Sequence, residues 1–445
     1  MARVFKPTKK QLPSPAKVAI HSLSSECEGI GHFNGKTVFV PQCYPGDTVR
    51  VKFTGTVKGS YRGQLINVET PSRHRRTAQC RHFDQCGGCS IMSLNQQQQT
   101  ALKQQNVLSA LHKQAGLTPD TIEPALESQP FAYRSTARLS LRHQSGGWRL
   151  GYRAKSSHQL VAIDGCPVLA EGLQALIPEL QAWLVQVPRS RRLGHIELLQ
   201  DERRVAVLLR TAEPLEAAEL CGLESLCQRN GADLWLKVDQ QPAKLRHGDS
   251  STYHYSLPDL GLTLEFGPEA FTQVNRTVNQ QMVTRAMAWL AAAGKQSGKL
   301  QHVVDLYCGV GNFSLPLAQI AQSVVGVELY ESMVHTARRN AQHNGIENAL
   351  FVGADLSRGA DSLAAAVSGQ IDAVLLDPPR AGAAEVLPAL ISARVPLLLY
   401  VSCNPATLVR DAQTLAASGY RLSKLCVMDM FPQTKHVETM ALFCL

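Results

Sequence analysis

The chain has no run of about 18 consecutive apolar residues, the length that a membrane-spanning helix needs. Its basic first 15 residues are not followed by an apolar stretch, so they do not match a secretory signal. The composition is not that of a disordered protein, because 44% of the residues are hydrophobic and 18% are charged. We therefore expect a cytoplasmic, monomeric protein without a membrane partner. Its 445 residues suggest two or three domains.

A disulfide framework is not expected either, although the chain has 12 cysteines. Disulfides are rare in a reducing compartment, where clustered cysteines indicate a metal site, an iron–sulfur cluster or catalysis. A cysteine that stands alone is interpreted as ordinary packing. This interpretation applies to Cys27, Cys43, Cys221, Cys227, Cys426 and Cys444.

Negative charge is scarce at the N-terminal end of the chain. Residues 1–76 hold 13 Lys and Arg but only 4 Asp and Glu, so they account for the whole net charge of +9. The other 369 residues are balanced, with 32 basic and 32 acidic side chains. Localised positive charge favours a nucleic-acid partner over a merely solvated basic surface.

The pattern along the chain predicts a multidomain protein. Short strands at 17–21, 37–40, 48–54 and 64–68, separated by Gly and Pro turns, predict an OB-like β-barrel over residues 1–72. Residues 73–265 are expected to form a central α+β domain. Within it, residues 93–120 form a helical segment whose helix, 96–115, ends at Gly116, and a second helix is expected near 170–185.

The C-terminal part, residues 266–445, alternates strands with helices. Such alternation predicts a Rossmann-like α/β domain with a parallel sheet. The last two strands, 424–430 and 439–445, lie close together in sequence and are expected to close the sheet in antiparallel fashion. The apolar strands before them end at Leu306, Val327, Val352, Leu376 and Val401.

A Gly-rich turn follows the first strand of this domain, in the sequence DLYCGVGNF at 305–313. Glycines allow the backbone to turn sharply and to approach a ligand. Asp305 stands just before the turn, where it would repel a dinucleotide pyrophosphate but would suit the cationic S-adenosylmethionine. Glu328 would then hold the ribose hydroxyls, and Asp355 lies where the adenine edge would be. The alternatives are an NAD site and a turn without a ligand.

Two further strand ends carry chemically suited residues. Asp377 opens the sequence Asp-Pro-Pro-Arg, and the prolines stiffen its loop. Cys403 follows the next strand and opens a helix, whose N-terminus would stabilise a thiolate. A thiolate is needed to activate carbon 5 of a uracil, because this carbon is too weak a nucleophile to take a methyl group directly. Glu438 is the best candidate for the base that then removes the carbon 5 proton.

Three cysteines, Cys80, Cys86 and Cys89, form the pattern C-x5-C-x2-C. Cys166, which precedes a proline, is the choice for a fourth ligand. The residue types alone leave zinc and an iron–sulfur cluster as equal alternatives.

The signatures DLYCGVGNF, DPPR, SCNP and HVETM, in this order, resemble the bacterial RNA uracil-5 methyltransferase family, and the basic barrel resembles a TRAM domain. The resemblance implies Cys403 as nucleophile and Glu438 as base. It implies an S-adenosylmethionine site at Gln273, Tyr307, Asn312, Glu328, Asp355 and Asp377. It also implies a [4Fe–4S] cluster at Cys80, Cys86, Cys89 and Cys166.

A barrel together with a cluster resembles the 23S rRNA type of this family, whereas the tRNA type is expected to lack both. The resemblance therefore implies a specific uridine of 23S rRNA as the substrate, with another rRNA uridine or a tRNA uridine as the alternative. The target base must leave its stack to reach Cys403. Arg134 resembles a family residue near the uracil pocket. Arginines beside the cluster are expected to meet phosphates: Arg73, Arg75, Arg76 and Arg81.

Other functions share some of these features. An amino-group methylase on adenine or glutamine would also use Asp377-Pro378-Pro379, but it needs no nucleophile. An RNA-binding cluster protein with a degenerate cofactor fold would not bind S-adenosylmethionine. A methylthiotransferase is disfavoured, because radical enzymes of that kind use C-x3-C-x2-C, which this sequence lacks.

Overall fold

The computed structural model describes residues 12–144, 146–249, 251–297, 300–359 and 369–445. The described chain folds into two compact units. The first comprises residues 12–79, Cys89–Asn106 and Gln433–Lys435. The second comprises Cys80–Gly88, Val107–Pro432 and His436–Leu445. Each unit is therefore assembled from segments that are distant in sequence.

The first unit contains a closed five-stranded barrel, as the strand pattern predicted. Along β1 and β4, small and branched apolar residues alternate with exposed polar ones, and the apolar set fills the interior. Glycine is required at Gly31 and Gly63, where a Cβ atom would lie 2.3 Å from a valine of the core. The barrel has the order β1-β2-β3-β5-β4, with β1 Ala16–Leu23, β2 Gly29–Phe33, β3 Lys36–Val40, β4 Thr48–Val57 and β5 Ser60–Thr70.

Two of the arginines predicted to meet phosphates are used inside this unit instead. Arg75 makes two hydrogen bonds of 2.8 Å to the buried carboxylate of Asp47, and its guanidinium lies over the ring of Tyr44. Arg76 donates to the Met92 carbonyl and to the side chain of Gln433, at 3.0 and 2.7 Å. The prediction of phosphate contacts is therefore wrong for both, because buried acceptors occupy their donors.

The second unit contains a seven-stranded sheet in the region where a central α+β domain was expected. Helix α1 (Gln96–Ala110) and strand β6 (Thr121–Leu126) precede it in sequence. The sheet has the order β13-β12-β11-β10-β7-β8-β9. Its strands are β7 Thr136–Gln144, β8 Gly147–Arg153, β9 Leu160–Ala162, β10 Leu193–Gln200, β11 Val205–Thr211, β12 Ala232–Val238 and β13 Lys244–His247.

Two helices cover one face of this sheet. Helix α2 (Glu171–Gln186) confirms the helix expected near 170–185, and α3 (Ala217–Arg229) was not anticipated. Both bury leucines against the inward side chains of β7, β10 and β11. The sequence of α3 contains Gly222 and two cysteines, which weakened its helical signal. Its apolar positions nevertheless recur at helical spacing and pack on the sheet.

A hairpin and a long helix lead into the C-terminal sheet: β14 (Tyr253–Leu257), β15 (Leu262–Phe266) and α4 (Arg276–Ser297). The sheet then has eight strands in the order β18-β17-β16-β19-β20-β22-β21-β6. Its strands are β16 Leu300–Leu306, β17 Ala321–Glu328, β18 Ala349–Gly353, β19 Ala373–Leu376, β20 Leu397–Ser402, β21 Arg421–Met428 and β22 Glu438–Cys444. The helices among them are α5 Ser314–Ile320, α6 Glu331–His343, α7 Leu387–Ser392 and α8 Pro405–Ala417.

The topology of this sheet confirms the expected α/β architecture. Strands β16 to β20 pair in parallel, and β22 inserts antiparallel between β20 and β21. The chain order reverses between β16 and β19, which is the place where open α/β sheets bind ligands. Strand β6 adds to the edge, parallel to β21, although it precedes the central sheet in sequence. Among the helices of the described segments, none combines the length and hydropathy that a bilayer crossing requires.

Candidate active site

The strand ends bring the candidate chemical residues to one edge of the eight-stranded sheet. Asp377 and Cys403 directly follow β19 and β20, which pair in parallel with Leu376 opposite Tyr400. Glu438 opens β22, whose Thr439 pairs with Ser402. Cys403 and Glu438 are therefore the next residues beyond this pair, on neighbouring strands, beside Asp377.

The turn after β16 has the backbone geometry of a ligand-binding turn. Tyr307 adopts a positive φ of 66°, which is strained for a residue with a side chain. Such strain persists only where the surroundings enforce it, and it concentrates at functional sites. The carboxylate of Glu328 holds the turn, because one of its oxygens accepts from the Gly309 N–H at 3.1 Å. Its other oxygen accepts from the backbone of Leu329 and Tyr330.

Asp305 does not have the role that its sequence position suggested. Its side chain is fully buried and accepts a hydrogen bond of 2.5 Å from the Ser314 hydroxyl. Its other oxygen has no hydrogen-bond partner among the described residues. Burial raises the pKa of Asp305 to about 8. The group is therefore largely neutral near pH 7, and it ties β16 to the start of α5 instead of facing a cationic ligand.

Asn312 belongs to a hydrogen-bonded network beside the turn. Its side chain exchanges two bonds of 3.0 Å with Asn279 and accepts a third from the Tyr255 hydroxyl, also at 3.0 Å. Gln273 lines a neighbouring cavity, together with Asn279, Tyr255 and Arg276. The structure thus places the predicted Gln273 next to the Asn312 network, through Asn279 and Tyr255, which were not predicted.

Asp355 follows β18 at the outer side of the same edge. Its carboxylate accepts from the backbone and the hydroxyl of Ser357, at 3.1 and 2.6 Å, and caps a short helical turn. These bonds, together with Arg358, lower its pKa. Asp355 is thus an ionised, solvent-facing acceptor in a defined position.

Cys403 lies between the end of β20 and the start of α8. Asn404 caps α8 by accepting from the Ala406 N–H at 3.1 Å, and its amide donates to the Arg380 carbonyl at 3.0 Å. The cap therefore ties the nucleophile loop to the loop that follows Asp377. A guanidinium nitrogen of Arg380 also lies 3.5 Å from Nδ1 of His436, two residues before Glu438.

The thiol of Cys403 is not pre-ionised, contrary to the expectation from its helix N-terminus. Burial, followed by the charges of Glu438 and Asp377, raises its pKa to about 11. Arg380 opposes this rise but does not overcome it. Burial and the neighbouring carboxyl groups of Asp377 and Glu438 outweigh the helix N-terminus. Neither could be predicted from the local sequence around Cys403.

The two carboxyl groups beside Cys403 are themselves perturbed. Burial raises the pKa of Asp377 to about 7. Burial and the charge of Asp377 raise that of Glu438 to about 8, while Arg380 lowers it. A carboxyl group whose pKa lies near the working pH can both accept and release a proton. The edge thus combines a nucleophile with groups that are able to move protons.

Three of the four clustered cysteines belong to the second unit. Burial raises the pKa of Cys166 to about 11, and the charges of Cys80 and Cys86 contribute to this rise. Across the described segments, no group of three or more His, Cys, Asp or Glu side chains forms a ready metal site. Of the six cysteines interpreted as packing, Cys221 is exposed on α3 and does not fit that interpretation.

A family model described as tRNA (Uracil-5-)-methyltransferase matches residues 95–444, and a TRAM domain model matches residues 16–66. The chain belongs to the RNA uracil-5 methyltransferase family. The matches span the barrel and nearly all of the remaining chain, as the resemblance of the signatures indicated.

Family members of known name are similar over the full length. The 23S rRNA (uracil(1939)-C(5))-methyltransferase RlmD of Aeromonas hydrophila is 41% identical over 100% of this chain and 99% of its own. The RlmD of Pectobacterium atrosepticum is 38% identical over 100% and 98%. The crystal structure of Pyrococcus abyssi tRNA (uracil-54, C5)-methyltransferase, in complex with S-adenosyl-L-homocysteine, superposes with a TM-score of 0.72. It is 24% identical and covers 96% of this chain and 99% of that one.

The structure adds residues that the family signatures did not single out. Arg380 ends the DPPR signature, but only the fold brings its charge to Cys403 and Glu438. Phe271 is 69% exposed, which is unusual for a phenylalanine, and it lies two residues before Gln273. The guanidinium of Arg134 lies 5.9 Å from the ring of Phe431, which contacts His436. The exposure of the Phe271 ring could not be predicted from the sequence pattern, and it marks this residue as a candidate for RNA contact.

Proposed function

We propose that this protein transfers a methyl group from S-adenosylmethionine to carbon 5 of a specific uridine in 23S rRNA. The observation that carries the proposal is the meeting of Cys403, Asp377 and Glu438 at one sheet edge, where both carboxyl groups have a raised pKa. A methyl transfer to nitrogen needs no buried thiol at this place. A transfer to carbon 5 needs both a nucleophile and a base.

Cys403 begins the reaction by adding its sulfur to carbon 6 of the flipped uracil. Its proton must leave first, because burial keeps the thiol neutral in the free enzyme by raising its pKa. An ionised Asp377 is a suitable acceptor, since its pKa of about 7 lies near neutrality. This leaves Glu438 ionised for the later step, and Asp377 returns its proton to the sulfur when Cys403 is expelled. Losing the negative charge of the acceptor also lowers the pKa of the thiol. Addition then pushes electrons towards carbon 5.

The bound methyl donor supplies an electrophilic methyl group to that carbon. Glu438, ionised at this stage, then takes the proton from carbon 5, and the electrons return to expel the Cys403 sulfur from carbon 6. Arg380 supports both carboxyl ionisation and thiolate formation, because its positive charge lowers the pKa of Glu438 and of Cys403. The sequence of steps is balanced, with the uracil proton on Glu438 and the donor left as a thioether.

We propose that the donor binds along the same edge, at Gln273, Tyr307, Asn312, Glu328, Asp355 and Asp377. The strained turn at Tyr307 supports this assignment, as do the carboxylates of Glu328 and Asp355, which backbone hydrogen bonds hold in fixed positions. Asn312 is held in place by Asn279 and Tyr255, so that it is presented in one orientation. Preorganised acceptors of this kind suit ribose and adenine groups.

The choice of 23S rRNA rests on relatives named for that substrate at 38–41% identity over the full length. The basic N-terminal end of the chain agrees with an RNA partner. The exposed ring of Phe271 is suited to stacking on a base that has left its helix. Another rRNA uridine and a tRNA uridine remain possible outcomes of the test below.

We further propose that Cys80, Cys86, Cys89 and Cys166 hold a [4Fe–4S] cluster. Cysteine thiols are the donors that such a cluster uses, and backbone N–H groups donate to the sulfurs of Cys86 and Cys166. The Gly88 N–H lies 3.4 Å from the Cys86 sulfur, and Val168 and Leu169 donate to Cys166. Hydrogen bonds to the sulfurs are typical of cluster ligands. The cluster would support the fold or RNA binding, since the methyl transfer needs no electron.

Cys86→Ser tests the cluster, with Cys221→Ser as the matched control on the exposed surface of α3. We expect the Cys86 variant to lose iron and acid-labile sulfide and the Cys221 variant to keep both. Zinc in the wild-type protein, in place of iron, would contradict the cluster. A Cys86 variant without iron that kept its thermal stability and its RNA affinity would contradict the supporting role.

The reaction is tested by incubating 23S rRNA fragments with tritiated S-adenosylmethionine and either the wild type or Cys403→Ala. We expect methylation of one uridine by the wild type and none by the variant. RNA that contains 5-fluorouracil should form a covalent complex with the wild type, because fluorine at carbon 5 cannot be removed as a proton. Methyl transfer by Cys403→Ala at the wild-type rate would refute the mechanism, and methylation of tRNA alone would refute the substrate.

A further inference from the structure

One face of the seven-stranded sheet is rich in arginine. Along β7, Ala137, Leu139 and Leu141 are buried beneath α2 and α3. The alternate positions, Arg138, Ser140 and Arg142, therefore point to the opposite face, because successive side chains of a strand alternate. Arg138 and Arg142 are both exposed.

The cations in the middle of this face are largely neutralised. Arg210 binds Glu197 and Glu269, at 3.1 and 3.0 Å, and Lys237 binds Glu269 at 2.6 Å. These contacts lower the pKa of both carboxyl groups, which are thus ionised near neutral pH. This part of the face is a network of matched charges.

The outer part of the face is different. The register of β7 and β8 places Arg142 directly opposite Arg149. Within the described segments, neither side chain belongs to an ion pair, and the same holds for Arg138. Arg149 is half-buried, donates to the Trp148 carbonyl at 3.0 Å and lines a cavity with Gln181 and Val185 of α2. The exposed cations of the open face are therefore Arg142 and Arg138, of which Arg138 lies 3.3 Å from Nδ1 of His195.

This charge lies on a strand that starts beside the candidate active site. Ser135 and Thr136, at the beginning of β7, line the same cavity as Gln273. Arg134 precedes them, and its guanidinium lies over Phe431, next to His436. Four residues of a strand span about 13 Å, so Arg134, Arg138 and Arg142 follow one another at steps of that size away from the site.

We propose that the outer face of β7 is a binding track for the phosphates of the substrate RNA that flanks the target uridine. The proposal rests on the proposed function, since it takes RNA as the substrate. Arg138 and Arg142 stay outside the ion pairs in which Arg210 and Lys237 bind Glu197 and Glu269. The track positions the strand without reading its sequence, because phosphates carry no base information.

The test compares the RNA affinity of the double variant Arg138→Ala/Arg142→Ala with that of the protein whose track is unaltered. Binding is measured in a Cys403→Ala background, which prevents adduct formation, on a 23S rRNA fragment with long flanks and on a truncated one. We expect about tenfold weaker binding of the long fragment. The slope of log K against log salt should become shallower by about 1.4, the value for two single-strand phosphate contacts. The affinity for the truncated fragment should not change.

Arg229→Ala is the matched control, because it removes an exposed arginine from α3 on the covered side of the same sheet. It should leave affinity and salt slope unchanged. In an otherwise wild-type enzyme, the double variant should raise KM while kcat keeps its value. An equal loss of RNA affinity in Arg229→Ala and in the double variant would overturn the track. A salt slope that is unchanged in both the double variant and Arg142→Glu would overturn it as well. Failure of the wild type to methylate any 23S rRNA fragment would instead count against the proposed function, because RNA affinity is measured separately.

Discussion

Cys403 lies among two carboxyl groups and one guanidinium, and their charges control when its thiol ionises. Burial dominates, Glu438 and Asp377 add to the rise of the pKa to about 11, and Arg380 counteracts it. An enzyme with this arrangement keeps its nucleophile protonated, and thus less reactive, until a bound substrate lowers the pKa of the thiol. The reactivity of Cys403 is therefore a property of the surrounding residues and can be changed without touching the sulfur.

Glu438→Gln should make Cys403 more reactive in the free enzyme. Removing a nearby negative charge lowers the pKa of the thiol, so more thiolate is present at a given pH. We expect alkylation by iodoacetamide at about pH 8 to become several-fold faster, measured by mass spectrometry of the Cys403 peptide. Arg380→Ala should have the opposite effect. Exposed Cys221 is an internal reference whose rate should not change, and a slower reaction in the Glu438 variant would contradict the assignment.

The same substitution should stop the catalytic cycle after methyl transfer. Without a base at position 438, the proton on carbon 5 stays in place and the sulfur cannot be expelled from carbon 6. We expect Glu438→Gln to accumulate a covalent complex with ordinary uracil RNA and the methyl donor, visible on a denaturing gel. Cys403→Ala/Glu438→Gln should form none. Multiple turnover by Glu438→Gln at the wild-type rate would exclude Glu438 as the base.

The turn between β16 and α5 is the element on which donor binding depends. Gly311 has a φ of 97°, and a Cβ atom there would lie 2.4 Å from a methyl carbon of Leu315. The glycine therefore allows both the backbone conformation and the close packing of the turn on α5. Glu328 fixes the same turn from the neighbouring strand.

Gly311→Ala should weaken binding of the methyl donor. The left-handed conformation costs a residue with a side chain about 1–2 kcal/mol, and relief of the contact with Leu315 would displace the turn. Gly345→Ala is the control, because Gly345 has a φ of 65° after α6 but open space around it. We expect both variants to lose stability and only Gly311→Ala to lose affinity for S-adenosylmethionine in calorimetry. Equal donor affinity in the two variants would show that the turn does not contact the donor.

At the scale of the whole molecule, buried carboxyl groups link the stability of the fold to pH. Asp305, Asp377 and Glu438 have pKa values of about 8, 7 and 8 in the folded protein. In an unfolded chain such groups titrate near pH 4. Between about pH 4 and pH 8, the folded state thus binds more protons than the unfolded state, and the free energy of unfolding falls as pH rises.

Glu438→Gln should reduce this decline, because glutamine stays neutral at every pH. We expect the variant to gain roughly 4 kcal/mol of unfolding free energy, relative to the wild type, between about pH 5 and pH 8.5. Denaturant titrations at both pH values measure the difference. A wild-type protein whose stability rose over this interval would contradict the buried, neutral carboxyl groups.

The barrel by itself does not distinguish an rRNA enzyme from a tRNA enzyme. The tRNA type was expected to lack it, yet the fold of the Pyrococcus abyssi tRNA enzyme matches 96% of this chain. The rRNA assignment therefore depends on full-length identity to relatives and not on the presence of a domain. The domain boundaries at 72 and 265 remain predictions, and β6 shows that strands can exchange across such limits.

Local patterns in the sequence were enough to predict the barrel, the α/β domain, the Gly-rich turn and the residues at the strand ends. These features depend on turn chemistry and periodicity over a few residues, which the chain carries wherever it folds. Cys403, Asp377 and Glu438 could be named in this way because parallel strands end at a common edge. Helix α3 and strand β6 could not, because only packing on a distant sheet stabilises them.

The tertiary structure decided the properties that depend on burial and on contacts between distant segments. Only the insertion of β22 between β20 and β21 brings Glu438 to Cys403 and raises the pKa of the thiol. Only the fold buries Asp305 and makes it neutral by raising its pKa. The sequence around Arg75 suggested a phosphate ligand. In the structure its guanidinium instead binds the buried carboxylate of Asp47. The physical reason is the same in each case, since a charge acts according to its neighbours and its exposure, and both are set by segments far away in the chain.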